Sequence, residues 1–175
     1  GRTWLKQVGP FVSGWGGRPG ADGIDGISPF ASNFAQIPVE EVERDGRIQV
    51  VELGFVPDSG GAGRWRGGLA VVVELRALGD GTRFQFLSQR RRVVPYGLAG
   101  GRPGTPSRNQ LRRAGGLEEL PLHGSLELRR GESIRHVHSG AGGFGDPLER
   151  DPEAVLADVL DGKLSPAYAE REYRV

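Results

Sequence analysis

The chain has 175 residues, of which 37% are hydrophobic and 26% are charged, and its formal net charge is +1. This composition predicts one globular domain with a buried core, and it excludes a disordered chain or a polyelectrolyte that binds nucleic acid through bulk charge. The absence of cysteine excludes disulfides, thiolate zinc sites and cysteine nucleophiles. No apolar run approaches the roughly 18 residues of a membrane helix, and we expect a cytoplasmic location.

The first segment of the chain predicts an extended conformation that ends in a turn. Trp4, Val8 and Val12 share one strand parity and Phe11 and Trp15 share the other, which favours a segment covered on both faces. The following sequence, GGRPGADGIDG, carries five glycines and a proline and therefore predicts a loop.

Two β-rich runs, at 48–56 and 69–78, predict strands that are joined by the glycine-rich segment 57–68. The pair Asp80 and Gly81 is typical of a hairpin turn, and 84–87 then predicts a return strand. We therefore expect a meander of sequential strands around the glycine-rich segment.

The second half of the chain predicts irregular backbone, short strands and two helices. Proline and glycine forbid long regular structure at 93–106, and short strands are expected at 120–122, 126–128 and 134–137. The helical signals are a cap at Asp151 followed by Pro152, apolar pairs Val155/Val159 and Leu156/Leu160, a stop at Gly162, and a second start at Ser165 and Pro166 with Tyr168, Ala169 and Tyr173 following.

The predicted fold class is mainly β, within α+β. We expect a glycine-rich antiparallel β body at 1–149 and a short C-terminal helical hairpin at 150–175.

The segment 57–68, PDSGGAGRWRGG, is the first candidate site, because five glycines leave room for a close backbone approach beside polar side chains. In an extended conformation Arg64 and Arg66 project to one face and Trp65 to the other, which suits an anion. The alternative is that both arginines form ion pairs with Asp58 or with nearby Glu residues. Ser59 is either a nucleophile or, more simply, a brace for the turn, since the nucleophile motif G-x-S-x-G is absent.

Aspartate and histidine pairs are further candidates. Asp22 and Asp25 lie three residues apart in a glycine-rich loop, where they form a metal-ligand or carboxylate pair or brace the turn. His136 and His138 share one face of a strand and could both reach a metal, although no third ligand is placed by the sequence.

Two other segments favour structural roles. The basic run 90–92 is typical of a solvated or partner-facing surface, because no stacking aromatics are interleaved with it. The loop 139–146, SGAGGFGD, again implies close backbone approach, and the alternative is that Phe144 plugs the core while Asp146 and Pro147 turn the chain toward the helices.

Five ordered motifs together resemble the hydantoinase B/oxoprolinase family. The motifs are GGRPGADGIDG at 16–26, Asn33 with IPVEEVE at 37–43, PDSGGAGRWRGGL at 57–69, QRRRVVPYGLAGGRPG at 89–104 and GAGGFGDPLERDPEAVLADVLDGKLSP at 140–166. The resemblance covers only about the C-terminal third of a family member. The chain also lacks methionine, so we expect a piece of a longer protein.

The resemblance implies a function for the longer protein. Members of this family act as B-type subunits of ATP-dependent enzymes that hydrolyse a cyclic amide, together with an A-type subunit of actin-like ATPase fold. ATP and a divalent metal are implied for the full complex, and none is assigned to this chain. The expected partners are that A-type subunit, the missing N-terminal portion and a small cyclic-amide substrate, in a hetero-oligomer without nucleic acid or membrane.

Within this chain, we expect Asp22, Asp58, Ser59, Arg64 and Arg66 to lie nearest to the chemistry. The arginines would stabilise a phosphorylated or oxyanionic intermediate, and Asp58 would orient one of them. The predicted substrate- or partner-binding residues are Gly60, Gly61, Gly67, Gly68, Asn33 and Asp146.

Two alternatives to this function remain at the level of the sequence. One is a ketone carboxylase-type subunit. The other is a non-catalytic scaffold segment that binds the A-type subunit, in which arginines and tryptophans would serve as interface anchors. The arrangement of the glycine loops separates site from scaffold, because loops that form a site converge on a pocket.

Overall fold

The computed structural model of the chain describes residues 12–28, 32 and 35–175. The helices are α1 (Val39–Glu43), α2 (Pro152–Leu160) and α3 (Pro166–Tyr173), with a 3-10 turn at Pro147–Glu149. The strands are β1 (Ile48–Val56), β2 (Ala70–Ala77), β3 (Thr82–Leu87), β4 (Arg108–Arg113), β5 (Gly116–Glu119), β6 (His123–Leu128) and β7 (Ser133–Val137). The mainly β fold class is thus confirmed. The predicted positions of Trp4, Val8 and Phe11 lie outside the described residues.

The main sheet has five antiparallel strands in the order β1-β2-β7-β4-β5. Strand β2 lies inside this sheet, and nearly all of its side chains are buried on both faces. On one face, Val73 and Leu75 contribute to an apolar cluster with Val42 of α1. On the other face, Glu74 is buried beneath Arg112 and Arg135. The continuous β-branched run of β2 is therefore explained by burial on both faces.

The second sheet consists of β3 and β6, and it corrects the predicted meander. The return strand exists, but β3 pairs with β6 and not with β2. The reason is that both edges of β2 are already occupied, by β1 on one side and by β7 on the other. Phe84 and Phe86 of β3 turn toward the main sheet and pack against its apolar cluster.

The predicted strand at 120–122 is also wrong. These residues form the connection between β5 and β6. Leu120 is buried, and the carbonyl of Leu122 accepts hydrogen bonds from the backbone amide of Ser88 and from the side chain of Asn109. Tertiary contacts therefore use these backbone groups in place of a strand ladder.

The two C-terminal helices begin where the capping residues predict. The Asp151 carboxylate accepts from the amide of Glu153, and the Ser165 hydroxyl accepts from the amide of Tyr168. One predicted apolar pair is wrong, because Leu156 and Leu160 are exposed by 59% and 78%. Helix α2 instead buries the stripe that contains Val155 and Asp158, and α3 buries Tyr168, Ala169 and Tyr173.

Segments without regular strands form the centre of the rest of the molecule. They comprise residues 13–27, 59–68, 95–105 and 139–145, and we call them the glycine core. Backbone hydrogen bonds connect all four segments, including reciprocal bonds between Trp65 and Phe144 at 3.0 and 2.9 Å. The irregular backbone predicted at 93–106 is confirmed. Among the helices of the described residues, none is long and apolar enough to cross a membrane.

Candidate functional site: a glycine core with a buried ionic network

The glycines of the core are required by contacts between backbones. A Cβ on Gly67 would overlap the carbonyl of Ala141, and a Cβ on Gly61 would lie 2.8 Å from the amide nitrogen of Gly143. A Cβ on Gly68 would come within 2.8 Å of the Cα of Gly14. The close backbone approach expected from the sequence is therefore confirmed, and the approaching backbone belongs to this same chain.

Backbone hydrogen bonds complete the glycine core. The amide of Gly61 donates to the carbonyl of Ala141 at 2.8 Å, and the amide of Gly143 donates to that of Arg102 at 2.9 Å. The N-terminal loop joins through Gly17, whose amide donates to the carbonyl of Gly142 at 2.9 Å. The predicted binding residues Gly60, Gly61, Gly67 and Gly68 thus face neighbouring segments of the chain, and the glycine loops converge on each other.

Arg66 lies under this core and is 4% exposed. Its guanidinium donates to both carboxylate oxygens of Asp25, at 2.9 and 3.1 Å, and its Nε donates to Asp158 at 3.1 Å. Another donor bonds the carbonyl of Gly67 at 3.1 Å. The sequence-level alternative that this arginine forms ion pairs is confirmed, although the partners are two aspartates and not Asp58 or a glutamate.

Asp22 and Asp25 brace the backbone as well as the arginines. The amide of Arg66 donates to Asp22 at 2.8 Å, and the amide of Leu69 donates to Asp25 at 2.7 Å. The two carboxylates therefore fix the segment 64–69 to the N-terminal loop. They bind arginine and backbone donors, which is the turn-bracing alternative of the sequence analysis.

Arg150 is the functional-site residue that the sequence reasoning missed. It donates to both oxygens of Asp22, at 2.7 and 2.8 Å, and to Asp158 at 2.6 Å. It also donates to the carbonyl of Arg64 at 3.1 Å. Asp158 was the available signal, because it is a carboxylate three residues after Val155 on the apolar stripe of a predicted helix, and a buried carboxylate requires a cation.

The electrostatics of this ionic network favour the charged forms. Burial alone would raise the pKa of Asp22, but the hydrogen bond and charge of Arg150 outweigh burial and hold that pKa below its usual value. Burial likewise opposes the charge on Arg66 and Arg150, and their aspartate partners raise the pKa of both guanidinium groups above the usual value. The network therefore stays ionised at neutral pH.

Arg64 has a different environment from Arg66. Its side chain is 51% exposed, its guanidinium lies 3.4 Å from Glu149, and its Cζ sits 4.8 Å from the ring centroid of Trp65. The two arginines therefore do not form a paired guanidinium site, since one is enclosed by aspartates and the other faces solvent.

Asp58 does not orient an arginine, and that prediction is wrong. Its carboxylate accepts from the amide and the hydroxyl of Ser165, both at 2.7 Å, and so joins the end of β1 to the start of α3. Its φ of 62° places it in the left-handed region, which aspartate tolerates better than most residues.

Ser59 is 1% exposed, and its hydroxyl donates to the carbonyl of Val56 at 2.5 Å while accepting from the amide of Ala70 at 2.8 Å. The predicted turn brace is confirmed by these bonds. Asp146 caps the 3-10 turn by accepting from the amide of Leu148 at 3.0 Å. Asn33 lies outside the described residues.

His136 and His138 do share one face, as the sequence predicts, with ring centroids 4.3 Å apart in an edge-on arrangement. Burial lowers the pKa of His136 to about 3 and that of His138 to about 4, so both rings are neutral at physiological pH. Among the described residues, no group of three or more His, Cys, Asp or Glu side chains could hold a metal ion.

Comparison with known proteins places this architecture. The family model described as hydantoinase B/oxoprolinase matches residues 1–147. The chain belongs to the hydantoinase B/oxoprolinase family. Relatives include a protein of Pseudomonas sp. named as the B-type subunit of a D-/L-hydantoinase, 32% identical over 92% of the chain and 28% of the relative, and the caprolactamase subunit beta of Pseudomonas jessenii, 31% identical over 94% and 29%.

The similarity extends to solved structures. The crystal structure of ATP-dependent caprolactamase from Pseudomonas jessenii matches with a TM-score of 0.78 at 28% identity, over 95% of this chain and 30% of that one. A nucleotide-free acetone carboxylase shares the fold, with a TM-score of 0.75 at 17% identity. The chain thus spans about 30% of the length of the relatives it matches.

Proposed function

We propose that this chain forms part of the B-type subunit of an ATP-dependent enzyme that opens a cyclic amide of the hydantoin, 5-oxoproline or lactam type. The observation that carries the proposal is the structural similarity to ATP-dependent caprolactamase over 95% of the chain. Relatives named as hydantoinase and 5-oxoprolinase support the same substrate class. The partner in this proposal is an A-type subunit of actin-like ATPase fold.

The role of the glycine core within that enzyme is scaffolding. Its loops converge on one another and not on a pocket, so the backbone is rigidly placed and offers fixed attachment for surrounding segments. The ionic network of Asp22, Asp25, Arg66, Arg150 and Asp158 fastens the N-terminal loop and helix α2 to that core. We assign these five residues to positioning.

Arg64 is the residue we assign to contact with substrate or partner. Its guanidinium is half exposed at the end of the glycine core and pairs only with the exposed carboxylate of Glu149. A solvent-facing arginine beside a tryptophan can bind an anionic intermediate or anchor an interface without breaking a buried network.

The implied metal and nucleotide do not fit the described part of this chain. The acidic side chains Asp22, Asp25 and Asp158 are bonded to arginines, and no three metal-ligating side chains of the described residues come together. No glycine-rich loop ends in the lysine and hydroxyl pair of a phosphate-binding loop. We therefore assign ATP and metal binding to other parts of the complex.

The test is ring opening by the longer B-type protein together with its A-type partner. ε-Caprolactam, hydantoin and 5-oxoproline are each incubated with and without ATP, and the opened product and ADP are measured. The proposal predicts ring opening of at least one of these substrates only when ATP is present. It is overturned if no cyclic amide is consumed.

A ketone carboxylase is the second candidate, because the acetophenone carboxylase delta subunit of Aromatoleum aromaticum is 29% identical over 94% of the chain. The same complex is assayed with acetophenone and acetone in the presence of bicarbonate. Bicarbonate-dependent consumption of a ketone, without amide hydrolysis, would establish this alternative. In either reaction, Arg64→Ala is expected to reduce turnover while leaving the fold intact.

A further inference from the structure

A small pocket of about 280 Å³ lies beside the ends of β3 and β7, away from the ionic network. Its lining includes Ser88, Gln89, Arg90, Ser107, His136 and His138. The described lining contains no carboxylate. The pocket therefore combines one cation with neutral polar groups, and its size is at the lower end of small-molecule sites.

The tautomer of His136 follows from its neighbour Asn109. The Asn109 amide nitrogen donates to the Ser88 hydroxyl and to the Pro121 carbonyl, both at 2.8 Å, which leaves the amide oxygen facing the ring. That oxygen lies 2.5 Å from Nδ1 of His136, so Nδ1 carries the proton. Since the ring is neutral, Nε2 of His136 is a hydrogen-bond acceptor.

Arg90 supplies the complementary donor. Its backbone is in the left-handed region, with φ at 66°, and Ser107 holds it there. The amide of Ser107 donates to the Arg90 carbonyl at 3.2 Å, and the Ser107 hydroxyl donates to the Gln89 carbonyl. A non-glycine residue held in this region marks stored strain, which is concentrated at ligand sites. In the described part of the chain, no protein acceptor binds the Arg90 guanidinium.

The charges around the pocket disfavour a metal ion. Arg90 lines the pocket, and the charge of Arg91 contributes to the lowered pKa of His136. A divalent cation would meet these positive charges without a carboxylate to offset them. A simple anion would be attracted by Arg90 but would meet the lone pair of His136. The best complement is a neutral molecule that offers both an acceptor and a donor.

We infer that this pocket binds the edge of a secondary amide, with the ligand carbonyl accepting from Arg90 and the ligand N–H donating to Nε2 of His136. A lactam or hydantoin ring presents these two groups side by side. The choice of a cyclic amide as probe rests on the proposed function, whereas the donor and acceptor pattern rests on Arg90, His136 and Asn109.

The experiment measures binding of ε-caprolactam to the 175-residue chain by calorimetry or ligand-observed NMR, without ATP or any partner. N-methyl-ε-caprolactam is the matched ligand, because methylation removes the donor and keeps the carbonyl. We expect the N-methyl compound to bind about tenfold more weakly or worse. In His136→Phe this difference between the two ligands should disappear.

Arg90→Gly is the protein-side test, since glycine adopts the left-handed conformation without strain and the variant is expected to fold. Affinity for ε-caprolactam should fall about tenfold or more, whereas the exposed neighbour variant Arg92→Ala should bind as wild type. Equal binding of the two lactams, no lactam binding by wild type, or tighter binding of acetate, phosphate or Zn²⁺ at the same residues would each overturn the inference.

These results separate the pocket from the proposed function. If the chain fails to bind the lactam while the complex opens cyclic amides with ATP, the pocket assignment alone is wrong. If the chain binds the lactam through Arg90 and His136 while the complex has no amide hydrolase activity, the proposed function alone is wrong.

Discussion

The molecule fills its interior in two different ways. Between the main sheet and the β3–β6 pair, side chains such as Leu111, Leu128 and Ile134 pack together in an apolar sheet core. In the glycine core, carbonyl groups of one segment occupy the space where another segment lacks a Cβ. The first interior is stabilised by apolar burial, and the second by backbone hydrogen bonds and an ionic network. The two regions should therefore respond to opposite kinds of substitution.

The largest effect is expected where the glycine core depends on buried charge. Arg66→Met leaves Asp25 and Asp158 without a cation, and removing one partner of a buried ion pair costs about 3 to 5 kcal/mol. The free energy of unfolding from urea denaturation measures this loss. Arg64→Met is the matched control two residues away, with an expected loss below about 1 kcal/mol because that pair is exposed. Equal losses would contradict the distinction between the two arginines.

Adding one carbon atom is the next test of the comparison. Gly67→Ala forces a Cβ against the Ala141 carbonyl, and we expect a loss of about 3 kcal/mol or more in unfolding free energy, because the obstacle is backbone and cannot rotate away. Gly54→Ala in β1 meets no atom within 4 Å and should change stability by less than about 0.5 kcal/mol. A tolerated Gly67→Ala would show that the glycine core can expand.

Removing one carbon atom tests the sheet core. Ile134 is 2% exposed, and Ile134→Val should cost about 0.5 to 1.5 kcal/mol by lost burial and a small cavity. Leu87→Val, at a site that is 78% exposed, is the control and should have almost no effect. Thermal and urea unfolding would report both. No loss in Ile134→Val would mean that this interior is not tightly packed.

The smallest expected effects come from acid titration of one carboxylate in each region. The pKa values of Asp22 and Glu74 are lowered from their usual 3.8 and 4.5, in each case because arginine hydrogen bonds outweigh burial. A lowered folded pKa gives stability that is present above the usual value and lost as pH falls through the folded pKa. Stability should therefore decline below about pH 4, and Asp22→Asn and Glu74→Gln should each flatten that decline. An unchanged slope in both variants would contradict the assignment.

Local rules were sufficient for much of this fold. Strands β1 and β2 follow from β-branched runs, and the starts of α2 and α3 follow from capping at Asp151 and Ser165. The pairing of β3 with β6 could not be read locally, because it depends on which strands occupy the edges of β2. The burial of Val155 but not Leu156 likewise depends on the surface against which α2 packs.

The candidate site was predictable in its composition but not in its connections. Glycine spacing indicated close backbone approach, while the partners of Arg66 lie 41 and 92 residues away along the chain. Arg150 carried no motif of its own, and Asp58 was assigned to an arginine because it is near in sequence. Long-range charge pairing is set by the fold, so neighbouring residues in the sequence were the wrong guide.

Amide hydrogen exchange of the native chain tests the central claim most directly. The glycine core lies outside helices and strands, yet its amides at Gly61, Gly67 and Gly143 donate to buried backbone carbonyls. If that backbone is the packed interior, these amides should exchange as slowly as those of β2, through global unfolding. Exchange as fast as that of exposed turn amides such as Gly46 would show a mobile loop cluster and contradict the account.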